Sequence, residues 1–68
     1  MYSKKEIGKN AGIVWETLNK LGNANLSKLK QSTKLSRTKL LLAIGWLLRE
    51  EKIKQSDDES RSIIFECI

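Results

Sequence analysis

Between Glu16 and Glu50 the chain carries Lys20, Lys28, Lys30, Lys34, Arg37, Lys39 and Arg49 and not one acidic residue. A solvated face normally mixes its signs, so seven cations without an anion point to a polyanionic partner. The densest part is Lys34-Leu35-Ser36-Arg37-Thr38-Lys39, where two hydroxyls stand among three cations. Guanidinium, ammonium, hydroxyl and backbone N–H groups are the donors that take phosphate oxygens. Lys28, Lys34, Ser36, Arg37, Thr38 and Lys39 are therefore the candidate nucleic-acid-binding residues.

Other chemistry is thinly supplied. The chain has 68 residues and no His, so the commonest general base and metal ligand is missing. Cys67 is alone, which leaves no internal disulfide and no cysteine-based metal site. Asp57, Asp58 and Glu59 carry oxygens but lack the spacing and ligand count of a calcium loop. Cys67 alternates with Phe65 and Ile63, so it reads as a small hydrophobe and not as a reactive thiol. The expectation is a binding protein with no catalytic residues, no metal, no cofactor and no small-molecule ligand, hence not an enzyme.

Composition agrees. Thirteen Lys and Arg against eight Asp and Glu give a net charge of +5, with 40% hydrophobic and 31% charged residues. The halves differ: ten cations and two acids up to Arg49, three cations and six acids beyond it. A domain this small buries only about 60% of the surface its unfolded chain exposes, so self-association would help it. The longest apolar run, Leu40 to Leu48, is nine residues. Spanning a bilayer takes about 20. No apolar stretch follows Lys4 and Lys5, so no export signal is read in the opening residues and a cytoplasmic protein is expected.

The elements that must position the cations can be read from local signals. Ser3 followed by Glu6 fits a capping box. Ile7, Ala11, Val14, Leu18 and Leu21 then recur at helical spacing, with Trp15 at the edge of the stripe and Gly22 fit to close it. The first helix is placed at 4–21. Ser27 is the expected N-cap of a shorter helix running to about Thr33. Lys34-Leu35 connects it to Ser36, the next N-cap, and a third helix runs from Arg37 to about Glu50. Leu40, Leu41, Ile44, Leu47 and Leu48 form its expected core stripe.

The period then falls to two. Lys52 to Ser56 and Arg61 to Ile68 read as strands, with Asp57 to Ser60 as the turn between them. Ala24-Asn25-Leu26 could supply a short third strand. The predicted fold is mainly α with a small β-hairpin (α+β): a winged helix-turn-helix, three helices followed by a two-stranded wing, forming a single domain over 1–68.

Ile7-Gly8-Lys9-Asn10-Ala11-Gly12-Ile13-Val14-Trp15 resembles the opening of a family of small stand-alone bacterial winged helix-turn-helix proteins. Leu42-Ala43-Ile44-Gly45-Trp46-Leu47, leading to Lys52-Ile53, resembles that family's second signature. The resemblance covers nearly the whole chain. It implies the fold and a tendency to pair, and it carries no established activity.

Two features qualify a DNA-reading role. Turning the third helix places Lys39, Leu42, Trp46 and Arg49 away from the core stripe, and Leu42 and Trp46 offer little to base edges. Such a pair marks a protein interface unless the hairpin or the N-terminal segment covers Trp46. Gly8 and Gly12 leave a flat patch on the first helix, suited to a strand, an aromatic ring or a second subunit's helix. The hairpin tip is acidic and would be repelled by phosphates, leaving Lys52, Lys54 and Arg61 to help the wing. The sequence therefore favours a DNA-binding winged helix, a small transcriptional regulator that forms a homodimer. The alternative is a protein-interaction or dimerisation module on the same fold, using Leu42 and Trp46.

Overall fold

The structure, a computed structural model, describes residues 3–57 and 62–68. Three helices and a three-stranded antiparallel sheet follow the order α1 (Lys4–Leu21), β1 (Asn23–Asn25), α2 (Leu26–Thr33), α3 (Arg37–Arg49), β2 (Ile53–Asp57) and β3 (Ile63–Cys67). This is the winged helix that the sequence predicts, with the short third strand present.

Each helix begins where a side chain can satisfy a free backbone N–H. Ser3 Oγ accepts from the Glu6 N–H at 3.1 Å and starts α1. Only this half of the expected capping box forms, because the Glu6 carboxylate reaches across to Lys39. Gly22, at φ 86°, ends α1 with its N–H on the Leu18 carbonyl. For α2 the cap is Asn25 and not Ser27: Asn25 Oδ1 accepts from the Lys28 N–H at 2.8 Å. Asn25 is still extended as the last residue of β1, so the helix starts at Leu26, one residue before Ser27. Lys34 closes α2 in the left-handed conformation, φ 61°. Ser36 caps α3 as expected, accepting from the Lys39 N–H at 3.2 Å. At the far end Glu51, φ 56°, makes a Schellman turn: its N–H donates to Leu48 and that of Lys52 to Leu47.

The strands order as β1-β3-β2. Ile53 pairs with Cys67, Gln55 with Phe65, and Ala24 with Phe65 from the other side. Residues directly opposite share a face, so Ala24, Ile53 and Phe65 lie together, and all three are buried. They close a core with Ala11, Val14 and Leu18 of α1, Leu29 of α2, and Leu40, Ala43, Ile44 and Leu47 of α3, while Cys67 packs at its margin. Lys54 and Glu66, opposite one another, pair at 3.4 Å.

The core stripes shift in two places. Leu21, expected inside, is exposed. On α3, Leu41 is 44% exposed, Leu48 is half-buried, and the small Ala43 is buried instead. An unbroken apolar run gives no phase of its own, so the neighbouring helix decides which side goes inside. The turn expected between the strands falls on Asp57 to Ser60. Of it, only Asp57 belongs to the described residues, and Arg61 lies outside them as well.

Candidate nucleic-acid interface

The candidate cations come from one continuous piece of chain: α2, its left-handed exit and the first turn of α3. Lys28, Lys30, Lys34 and Arg37 are all exposed, as are Ser36 and Thr38. Among the described residues, none of the four cations pairs with a carboxylate; the ion pairs found are Lys39–Glu6 and Lys54–Glu66. The Ser36 hydroxyl accepts from the Lys39 N–H, which leaves its own proton for an external acceptor. The Arg37 and Thr38 N–H groups lie in the first turn of α3, where the positive end of the helix dipole favours an anion. Together these groups form a donor surface that suits phosphate oxygens.

Lys39 stands apart from the other candidates. It is half-buried, and its Nζ lies 3.3 Å from Glu6 Oε1 on α1. Sequence reasoning could not join the two, since only the packing of α1 on α3 brings them together. Lys30, which the sequence-derived set leaves out, is exposed one turn from Lys34.

The outward side of α3 is short of hydrogen-bonding groups. Thr38, Leu41, Leu42, Gly45 and Arg49 are exposed there, with Leu42 at 38%. Leucine can touch a thymine methyl but cannot read the donor and acceptor pattern of a base edge. Trp46 turns toward α1, and a Cβ placed on Gly8 would lie 3.6 Å from its ring, so the tryptophan rests over that glycine. Neither the hairpin nor the residues before α1 are needed to cover it.

Cys67 Sγ approaches the Trp15 carbonyl at 3.6 Å, and burial raises the thiol above its usual pKa. A raised pKa keeps the thiol protonated at neutral pH, as fits a structural residue.

Comparison with known proteins agrees with the fold. The family model described as winged helix-turn-helix domain (DUF2582) matches residues 1–66. The chain belongs to that family. The solution NMR structure of protein BT2368 from Bacteroides thetaiotaomicron is similar, with a TM-score of 0.79 and 35% sequence identity over 93% of this chain and 77% of that one. No curated protein matches the chain. Like other winged helices, this DUF2582 chain presents the start of its third helix at the surface. No helix among its described residues is long and apolar enough to cross a membrane.

Proposed function

We propose that this domain binds duplex DNA, chiefly through backbone phosphates, as a small cytoplasmic regulator of transcription. One observation carries the reading: Lys28, Lys30, Lys34 and Arg37 are exposed on α2, its exit and the start of α3, with no carboxylate partner among the described residues. Arg37, Thr38 and Ser36 meet the phosphates at the end of α3 that enters the groove, with Lys28 and Lys34 on the flanking strand. Lys39 joins them only when it leaves Glu6. With Leu41 and Leu42 in the middle of the outward face, base reading is poor and affinity is mostly electrostatic.

The test is an anisotropy titration of a labelled generic duplex at low salt. Arg37→Ala should weaken binding several-fold, as should Lys34→Gly, which removes a charge at a position whose backbone suits glycine. Equal affinity in wild type and both variants would refute the reading.

A second reading is favoured by Leu41 and Leu42, at 44% and 38% exposure on the outward face of α3. On that reading the domain holds a protein partner, with Leu42 and the edge of Trp46 in the contact, and has no DNA affinity even at about 50 mM salt.

A further inference from the structure

Leu41 and Leu42, in the second turn of α3, are 44% and 38% exposed. They stand on the outward side of the helix, away from Leu40, Ala43, Ile44 and Leu47, which go into the core. We propose that this pair reads the C5-methyl groups of thymine in the major groove, so that the domain prefers thymine-bearing duplex. The inference rests on the phosphate-binding reading and adds to it a base preference that needs no hydrogen bond.

Position is the first support. A helix that enters the major groove meets base edges with the residues of its first turns. At 1.5 Å per residue, Leu41 and Leu42 lie about 6 and about 7.5 Å along the axis from Arg37. With Arg37 on a phosphate, the two leucines face the groove floor. Gly45, exposed one turn further on the same side, adds no side chain to hold them off. Of the groups that A·T and G·C pairs present in that groove, only the thymine methyl is apolar. Burying it against leucine takes both surfaces out of water.

Charge and size select a nucleic acid over a protein as the occupant. Helix α3 has no acidic residue from Arg37 to Arg49, and its exposed arginines stand at either end of the apolar pair. Lys34 precedes them, without a carboxylate partner among the described residues. An apolar strip framed by cations matches a groove whose methyls lie between two rows of phosphates. A stable protein contact buries about 800 Å² on each side. Two partly exposed leucines followed by Gly45 fall far short of that by themselves.

The experiment is an anisotropy titration of the full chain on two A·T duplexes of one sequence, the first with thymine and the second with uracil. The two differ only in the C5-methyl groups. Wild type should bind the thymine duplex about tenfold tighter, from about three- to fourfold for each of two methyls buried. Both duplexes carry the same phosphates, so this ratio should hold from about 50 to 200 mM salt while both affinities fall. Exchanging cytosine for 5-methylcytosine in a G·C duplex places a methyl at the equivalent position and should tighten binding likewise. Leu41→Ala combined with Leu42→Ala should leave the uracil duplex unaffected and bring the thymine duplex down to it. Both side chains are partly exposed and alanine is a good helix former, so the variant should fold, as its melting curve checks. Equal binding of the two duplexes by wild type would overturn this inference and leave the phosphate reading standing. A thymine preference that survives the leucine variant would also overturn it, since duplex shape would then be what is read. Absence of binding to either duplex would overturn both readings.

Discussion

Lys34 and Glu51 hold left-handed backbone at φ 61° and 56°, a conformation that costs a residue with a Cβ about 1–2 kcal/mol. Each closes a helix there, Lys34 at the exit of α2 and Glu51 in the Schellman turn after α3. Glu51→Gly should therefore raise stability by roughly 1 kcal/mol, read as an upward shift in the urea midpoint. A fall would show that the Glu51 side chain makes a contact stronger than the backbone strain. Both conformations were hidden in the sequence, since neither residue is glycine or asparagine and nothing else announced a positive φ. Gly22 and Ser36, whose types fit their caps, were legible. Ser27 was not the cap because a better acceptor, Asn25, stood two residues earlier with its backbone still extended.

At the scale of elements, helix packing decides what propensity leaves open. Leu18 and Leu40 are fully buried and Ile44 nearly so, each from the centre of its stripe. Leu18→Ala and Ile44→Ala should each cost about 2–5 kcal/mol in chemical denaturation, enough to threaten a domain of this size. A loss well under 1 kcal/mol for both would mean that the stripes are misplaced. The periodicity of α1 was readable because polar residues interrupt it. That of α3 was only half readable, because Leu40 to Leu48 is apolar throughout and the burial of Ala43 in place of Leu41 follows from how closely α1 approaches. The same packing ties Lys39 to Glu6. A pair whose side chains are still 38% and 39% exposed contributes little stability, about 0–1 kcal/mol, so breaking it changes binding more than folding. Glu6→Gln should leave the melting temperature almost unchanged and tighten DNA binding by freeing Lys39. Weaker binding by this variant would remove Lys39 from the phosphate-contacting set.

For the whole molecule, the sequence carried the architecture, which is visible in the fold, and a charge asymmetry, whose cationic part lies exposed on α2 and the start of α3. It did not carry a groove that opens between Trp15 and Trp46, whose walls lie 31 residues apart and meet only when α1 lies against α3. What it pointed to is a cationic surface spread over α2 and the start of α3, opposite in sign to the acidic stretch of sequence at 57–59. The proposed function makes that asymmetry a quantity. Three free contacts, Lys28, Lys34 and Arg37, at about −0.9 each should give log K against log salt a slope near −3 per chain, and Glu6→Gln should steepen it toward about −4. Arg37→Ala should flatten it by about one. The most direct measurement is this slope for the wild-type chain on a generic duplex, from about 50 to 200 mM salt. A slope near −3 that loses about one in Arg37→Ala is the expected result. A flat line from folded protein, or a slope that Arg37→Ala leaves unchanged, would contradict the account.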